Sequence, residues 1–390
     1  MFRAVLSNPQ HPEQGQITVP FPLTGDAYPQ TLELLRALDL GNPTGRDCQI
    51  DEISGGYSVL KRLEGGMSNL DELDYLAKRL ESFDDDQGIQ FEAVAAARDI
   101  SSIEDFINLT FCCDQVTVIY DFSDLEAVGR RHYLNTHGGC ASVEELDHLD
   151  GLETALLLID GGGGVITPYG VLYENGMRME PLYQGGPFPA YLDRLYELEL
   201  IVSPHQEPVK TTHLYLPVSS AWIQRMLQRG GIAPANMRLS AWTPLSLSSK
   251  VREVIDPRKD SLEELNEMCR AIRSIFPTDR NKLDAVIDFA LPECASQIRR
   301  LAEELPLFDF VPGVSSPEEY GRYMIQASGR FDYDDHLDPY YDYAQYGQDR
   351  IMVEEGRFVD SGYVSYQGSL ALEQLMNDGS KELQGVMEMR

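Results

Sequence analysis

The sequence predicts an α+β protein built from two tandem units, and three observations support this prediction. Short extended segments, amphipathic helices and glycine-rich turns follow one another along the chain. The same succession returns after a constant spacing of 192 residues. Hydrophobic residues make up 43% of the 390 residues, with 20 Tyr and 14 Phe, so the chain has enough apolar material for folded cores.

Each predicted unit opens with a short strand that is followed by a helix. Residues 18–21 and 213–217 are the extended openings, and residues 29–38 and Ser220–Arg229 are the helices that follow. The openings are rich in apolar residues and end near proline, as strand ends often do.

The clearest helix begins after Ser68 or Asn69, and its apolar residues recur at helical spacing. They are Leu70, Leu73, Leu76 and Leu80 in the first unit, and Leu262, Leu265, Cys269 and Ile272 in the second. Another helix begins at Ser101-Ser102, with Glu104 and Asp105 in its first turn. Residues 164–170 and 356–362 are expected to be β-hairpin ends.

The spacing of 192 residues aligns several separated blocks. Residues 69–73 meet 261–265, residues 124–130 meet 316–322, and residues 164–170 meet 356–362. One offset for separate blocks indicates a tandem duplication. We therefore predict a first unit over 1–175, a connector over 176–209 with a short helix near 191–198, a second unit over 210–368, and a C-terminal tail over 369–390 that is helical from Glu373.

The chain carries 63 Asp and Glu against 32 Lys and Arg, a formal net charge of −31. Solubility of a small domain needs a net charge of only about 2–8, so this surplus favours a role for the charge itself. On the scale of about one phosphate per 1.7 Å of DNA axis, the surplus equals the charge of roughly 15 base pairs. A very soluble or halophilic protein is the alternative explanation. Acidity argues against direct binding to nucleic acid or to anionic membranes.

The remaining composition argues against an enzyme, a cofactor and a membrane location. The six cysteines form no C-x-x-C pair and are expected to be buried thiols of a reducing compartment, so we expect a cytoplasmic protein. The longest aliphatic stretch, residues 155–159, is too short to span a bilayer. No zinc, phosphate-loop or EF-hand spacing is complete, although a glycosidase-like carboxylate pair stays open for any acidic chain.

Acidic residues cluster in two stretches, which we predict to be the partner-binding surface. The first stretch follows the start of the clearest helix, and the second, in residues 331–360, is interleaved with tyrosines that argue for folding. Carboxylates one helical turn apart stand about 5–6 Å from each other, a spacing comparable with that of DNA phosphates. The predicted site residues are Asp71, Glu72, Asp74, Glu81, Asp84, Asp85, Asp86, Asp332, Asp334, Asp335, Asp338, Asp342, Asp349, Glu354 and Glu355.

The C-terminal stretch resembles the ArdA antirestriction proteins. Residues 338–349 read Asp-Pro-Tyr-Tyr-Asp-Tyr-Ala-Gln-Tyr-Gly-Gln-Asp, and residues 354–364 continue with Glu-Glu-Gly-Arg-Phe-Val-Asp-Ser-Gly-Tyr-Val. Both are similar to that family's terminal signature, and residues 107–110, 70–77 and 17–22 resemble its middle and opening regions. Gln345 and Gln348 depart from the usual Glu and Arg, and the first unit has lost the tyrosines.

The resemblance implies two tandem ArdA-like units, each of small α+β subdomains, in an elongated acidic protein that imitates bent DNA. Its implied partner is the methyltransferase/specificity core of type I restriction–modification enzymes, and no catalytic residue or metal is implied. Members are typically single units that dimerise, so the tandem predicts a monomeric pseudo-dimer, with a homodimer as the alternative. Two other functions stay open: a mimic aimed at another basic DNA-binding protein, such as a CRISPR effector or nucleoid protein, and an acidic scaffold without inhibitory activity.

Overall fold

The computed structural model describes residues 1–25, 27–207 and 210–377. Their contacts divide the chain into two units. Unit 1 consists of Met1–Arg194, Val202–His213 and Ser219–Arg238, and unit 2 consists of Leu195–Ile201, Leu214–Val218 and the described residues from Leu239 onward. The composition of 46% helix and 17% strand confirms the predicted α+β class.

Unit 1 begins with an antiparallel sheet in the strand order β2-β1-β3-β4. Its strands are β1 (Phe2–Ser7), β2 (Gln16–Phe21), β3 (Cys48–Gly55) and β4 (Met67–Ser68). The first helices are α1 (Ala27–Arg36), α2 (Leu70–Glu81), α3 (Asp85–Ala97) and α4 (Ile103–Leu109). One apolar core joins these strands and helices, and it contains the predicted stripe Leu70, Leu73, Leu76 and Leu80. Asn69 caps α2 and Ser102 caps α4, as the sequence predicts.

The rest of unit 1 includes a small subdomain that we call module 1. Its strands β5 (Thr117–Ile119), β6 (Val165–Thr167) and β7 (Gly170–Tyr173) form an antiparallel sheet in the order β5-β7-β6. Its helices are α5 (Leu125–Thr136), α6 (Val143–His148) and α7 (Gly151–Asp160). Helix α8 (Ser220–Arg229) also belongs to unit 1, and its bounds are those predicted.

Unit 2 uses a three-stranded sheet in the order β10-β8-β9, followed by helices. The strands are β8 (Leu198–Pro204), β9 (Thr212–Leu216) and β10 (Met237–Pro244), of which residues 198–201, 214–216 and 239–244 are part of unit 2. The helices are α9 (Ser249–Val254), α10 (Leu262–Ser274), α11 (Arg280–Ala290) and α12 (Ala295–Glu303). Leu265, Cys269 and Ile272 of the predicted stripe are buried.

Unit 2 ends with a subdomain that we call module 2 and with one short helix. Module 2 contains β11 (Phe308–Pro312), α13 (Pro317–Gln326), α14 (Tyr343–Glu354), β12 (Arg357–Val359) and β13 (Gly362–Tyr366), with strand order β11-β13-β12. Helix α15 (Leu372–Met376) follows, and its Leu375 is buried. Isolated 3₁₀ turns connect the elements of the chain, one of them at Asp335–Tyr340.

The order of elements in module 1 returns in module 2 at the same spacing of 192 residues. Helices α5 and α13 begin at Leu125 and Pro317, and strands β7 and β13 begin at Gly170 and Gly362. The helix caps correspond as well: Asp124 and Ser316 cap the first helix of the pair, while Asp150 and Asp342 cap the second. Sheet orders β5-β7-β6 and β11-β13-β12 are equivalent.

Two helices cross closely in each module because glycine stands at the crossing. A methyl group at Gly129 of α5 would overlap the carbonyl oxygen of Gly151, where α7 begins. In module 2 a methyl group at Gly321 would overlap the carbonyl oxygen of Tyr343, and one at Gly347 would overlap that of Pro317. Glycine therefore allows backbone-to-backbone packing that any side chain would prevent.

Three expectations for the chain need correction or completion. Residues 191–198 are not helical: Leu198 begins strand β8, which lies inside the predicted connector. Helix α15 confirms a short helix in the tail, whereas residues 208, 209 and 378–390 of the predicted connector and tail lie outside the described residues. The division into repeat units at 1–175 and 210–368 stays a prediction, and the contact-based units do not follow those boundaries.

Four of the six cysteines are buried in the fold. Cys48, Cys112, Cys113 and Cys269 are buried, and burial raises the pKa of each thiol, that of Cys112 to about 11. Cys140 is exposed and Cys294 is half-buried, so the expectation that all six are buried is wrong for these two. In the described ranges no helix is long and apolar enough to cross a membrane.

Replacing Gly129 with alanine is expected to destabilise module 1. The added methyl group would meet the backbone of α7, and overpacking of this kind typically costs about 1–3 kcal/mol in the free energy of unfolding. Denaturant unfolding of the full chain measures this loss. The matched control is Gly186→Ala, where the methyl group would meet no atom within 4 Å, and its change should stay within about 0.5 kcal/mol. Equal stability of the two variants would contradict the close crossing.

Candidate acidic interaction surface

The three predicted site residues at the start of α2 are buried rather than presented to solvent. Asp71, Glu72 and Asp74 are 2%, 1% and 3% exposed. The prediction that they lie on a partner-binding surface is therefore wrong. A desolvated carboxylate needs a cation or hydrogen-bond donors, and each of these three has them within unit 1.

Asp71 is held by Arg225 of helix α8. The Arg225 guanidinium donates from Nη2 to Asp71 Oδ2 at 2.7 Å and from Nε to Asp71 Oδ1 at 3.2 Å. The hydroxyl of Tyr28 also donates to Asp71, and burial raises the pKa of that tyrosine well above its usual value. Arg225 further donates to the carbonyl oxygen of Gly41. This is a buried, bidentate ion pair with additional donors, the arrangement in which burial of charge is tolerated.

Glu72 and Asp74 are satisfied in the same way. Arg46 Nη2 pairs with Glu72 Oε1 at 2.8 Å, and the hydroxyl of Tyr183 donates to that oxygen at 2.8 Å. Asp74 accepts the backbone N–H of Leu23 at 2.7 Å and pairs with Lys78 at 2.9 Å. Burial raises the pKa of the Asp74 carboxyl, and Lys78 opposes that shift. These carboxylates hold unit 1 together.

The other predicted site residues of unit 1 surround the junction of α2 and α3. Glu81, Asp84 and Asp85 are exposed, and Asp86 is half-buried. The Asp84 side chain caps α3 by accepting the N–H of Gln87 at 2.8 Å. Asp86 pairs with Arg131 at 2.5 Å. Of these four residues, Glu81 and Asp85 make no side-chain hydrogen bond or ion pair with a described residue.

In module 2 most predicted site residues do lie at the surface. Asp332, Asp334, Asp335, Asp342, Asp349 and Glu355 are exposed. Asp342 caps α14 through the N–H of Gln345 at 3.0 Å, and Asp334 accepts the N–H of His336 at 2.9 Å. Capping fixes these side chains while one carboxylate oxygen of each stays available. Asp349 accepts the Gln345 amide at 2.9 Å.

The carboxylate of Asp338 is used in hydrogen bonds within module 2 and is not a free surface charge. Its Oδ1 accepts hydrogen bonds from the Tyr333 hydroxyl at 2.9 Å, from the Gln326 amide at 2.8 Å and from the Tyr343 hydroxyl. The two tyrosine hydroxyls are the main cause that lowers the pKa of Asp338. The guanidinium of Arg322 lies 4.4 Å from the Tyr343 ring centroid. This cluster orders the chain between α13 and α14.

Glu354 is the second carboxylate of module 2 that forms hydrogen bonds and an ion pair within the module. Only 9% of its side chain is exposed, and it accepts hydrogen bonds from the hydroxyls of Tyr320 at 2.6 Å and Tyr363 at 3.1 Å. Arg350 forms an ion pair with it. Burial, with Glu354 as a further cause, raises the pKa of both tyrosines. The prediction of a surface role for Glu354 is therefore wrong.

Sequence reasoning missed a set of exposed carboxylates in module 1. The side chains of Glu144, Asp147, Glu153 and Asp160 are exposed and bond no described residue. The 192-residue spacing aligns the Asp150 cap of α7 with the Asp342 cap of α14, but it places none of these four opposite an acidic residue, so only the local surplus of acidic residues could have indicated them. Residues 117–175 hold ten Asp and Glu against two Lys and Arg, and residues 309–367 hold twelve against four. Both modules thus have the same surplus of eight negative charges.

No arrangement in the described residues suits a resident metal ion. Groups of three or more His, Cys, Asp or Glu side chains that would hold one are absent from the described ranges. The acidic run at 332–338 disperses its carboxylates, since Asp338 faces the tyrosine hydroxyls while Asp332 and Asp335 are exposed.

Module 2 and the helices before it define a class of domain: a small sheet with a glycine-crossed helix pair and a carboxylate-rich exposed face. Residues 250–365 match the family model described as Antirestriction protein (ArdA). The chain therefore contains an ArdA domain in its C-terminal part, which confirms the resemblance of the C-terminal stretch, while that of residues 17–22, 70–77 and 107–110 stays a prediction. The description of this family is antirestriction. No curated protein matches the chain.

Replacing Arg225 with alanine is expected to lower the free energy of unfolding by about 3–5 kcal/mol, because Asp71 would be left charged and buried. Arg238→Ala is the matched control, since Arg238 is exposed and its side chain bonds no described residue. Chemical denaturation of both variants measures the difference. In Asp71→Ala/Arg225→Ala the losses should not add, because the two residues form one pair. Additive losses would contradict the pairing.

The hydrogen bonds that hold the Tyr333 and Tyr343 side chains at Asp338 are expected to persist between pH 7 and pH 5 and to be lost at lower pH. A carboxyl whose pKa is lowered by folding contributes stability above its unfolded pKa of about 3.9, and the contribution disappears as the pH falls through the lower folded pKa. Near-ultraviolet circular dichroism of the tyrosines follows this change. Asp338→Asn should lack the transition. A transition of the wild type between pH 5 and pH 7 would contradict the assignment.

Proposed function

We propose that this protein is an antirestriction DNA mimic that occupies the DNA-binding groove of type I restriction–modification enzymes. The observation that supports this most directly is that the ArdA domain presents exposed carboxylates on helix α14 and on the hydrogen-bonded segment before it. In this proposal the carboxylates take the places of DNA phosphates and pair with Lys and Arg side chains that line the groove. The protein acts by occupancy, in the cytoplasm, without a catalytic step or a cofactor.

The electrostatics of the modules support this proposal. Each has eight more acidic than basic residues over 59 positions, and the chain as a whole has a net charge of −31. Such a surface attracts a basic groove over a distance of about a Debye length, roughly 8 Å at physiological salt. It also repels nucleic acid, so the chain competes with DNA and does not bind it.

Order in the acidic segment supports the proposal as well. Asp342 and Asp334 are fixed as caps, and the Asp338 cluster holds the chain between them. A surface that is ordered before binding loses less conformational entropy than a flexible acidic tail would. The exposed carboxylates therefore have ordered positions before they bind a groove of fixed shape.

We further propose that the chain contains two ArdA-like units, so that one chain takes the place of a dimer. This is supported by the matching element order, helix caps and glycine crossings of modules 1 and 2. The alternative is a homodimer.

A light-scattering mass near 43.8 kDa is expected for the covalent pseudo-dimer, and a mass near twice that value would contradict it.

Neutralising three exposed carboxylates of module 2 is expected to weaken binding to a purified type I methyltransferase/specificity core. We choose Asp332→Asn/Asp334→Asn/Asp335→Asn and leave Asp338 unchanged, since it orders the segment. The affinity at low salt should fall about tenfold, because partly exposed charge pairs contribute up to about 1 kcal/mol each. At high salt the difference from wild type should shrink through screening. Titration of the labelled core at two salt concentrations measures both effects.

The matched control removes three negative charges elsewhere: Glu13→Gln/Asp51→Asn/Glu52→Gln on the β1–β3 region. These residues are exposed and lie outside the predicted site. The control should bind nearly as tightly as wild type. Equal losses in both triple variants would indicate attraction by net charge alone. Absence of wild-type binding would contradict the proposed target and direct the search to other DNA-handling proteins.

A further inference from the structure

One aromatic residue in the acidic segment of module 2 has no role inside the fold. Between residues 331 and 346 the rings pair with each other: Phe331 with Tyr346, and Tyr341 with both Tyr333 and Tyr343. Tyr340 stands apart, because its side chain is 84% exposed and makes no hydrogen bond or ring contact with a described residue. A single exposed aromatic side chain is ordinary on a protein surface, so what distinguishes Tyr340 is its place among exposed carboxylates.

The position of Tyr340 is nevertheless fixed by its neighbours. It ends the 3₁₀ turn Asp335–Tyr340, and Pro339 restricts the backbone before it. Before Tyr340, the side chain of Asp338 accepts three hydrogen bonds. After Tyr340, the backbone N–H of Tyr341 donates to the carbonyl oxygen of Asp338 at 3.3 Å. The ring is thus presented from an anchored turn.

The surroundings of Tyr340 indicate which chemistry it meets. Exposed carboxylates precede and follow it in the chain, at Asp334, Asp335 and Asp342. A partner surface that these carboxylates attract is lined by Lys or Arg, and such cations bind well over an aromatic face. Tyrosine is also enriched among the residues that dominate interface affinity, because it adds a large contact area with few rotatable bonds.

We propose that Tyr340 is an anchor residue of the interface, with its ring packed on an arginine or lysine side chain in the DNA groove of the partner. This inference rests on the proposed function and adds to it a contact that DNA phosphates do not offer. Carboxylate–cation pairs at the rim weaken with salt, whereas a ring that excludes water from its cation is screened much less. Tyr340 therefore supplies the part of the affinity that resists salt.

The test compares Tyr340→Ala and Tyr340→Phe in binding to the same purified methyltransferase/specificity core at low and high salt. Tyr340→Ala should weaken binding about tenfold at both salt concentrations, and Tyr340→Phe should stay within about twofold of wild type because it keeps the ring. Phe276→Ala is the matched control: Phe276 is 73% exposed in unit 2 outside module 2, and its loss should leave the affinity unchanged. Thermal unfolding of each variant checks that the fold is intact.

The possible outcomes separate this inference from the function on which it rests. If wild type binds and Tyr340→Ala binds equally well, the anchor role is wrong while the proposed function stands. If Tyr340→Ala loses affinity only at low salt, the ring supplies no salt-resistant contact and the inference is overturned. If wild type does not bind the core at either salt concentration, the proposed target and the anchor role fall together.

Discussion

Burial of a carboxylate requires a cation or several donors beside it, and this requirement separates the acidic residues of the chain into two groups. Asp71, Glu72 and Glu354 enter the interior, where Arg225, Arg46 and Arg350 pair with them. Because the chain has 63 Asp and Glu against 32 Lys and Arg, the carboxylates that are not paired inside stay in excess at the surface. Each internal pair is neutral, so the negative charge of the modules comes from the surplus of acidic over basic residues in their sequence, eight in each.

Backbone packing supplies the rigidity that such a surface needs. Gly129 in module 1 and Gly321 with Gly347 in module 2 bring two helices into direct contact, and each second helix begins at an aspartate cap. The two helices contact each other at these glycines, and their opposite sides do not take part in this contact. Carboxylates on those sides can therefore vary in sequence, as the differences between the two modules illustrate, while their supporting frame remains.

The sequence predicted local features well and long-range pairing poorly. Caps at Asn69 and Ser102 and the helix Ser220–Arg229 are confirmed, because capping and apolar periodicity are properties of neighbouring residues. The burial of Asp71 was not predictable, since its partner Arg225 lies 154 positions away. An aspartate beside the apolar stripe of a helix has the same local pattern whether solvent or an arginine faces it.

The central claim is that the acidic surface and DNA compete for one groove, and a test for a ternary complex addresses it most directly. A purified type I methyltransferase/specificity core would be mixed with a DNA duplex and with this protein in excess, and the complexes separated by native mass spectrometry. The account predicts core bound to DNA or core bound to this protein, and no species that contains all three. A stable ternary complex would contradict DNA mimicry, because it would place the protein outside the DNA groove.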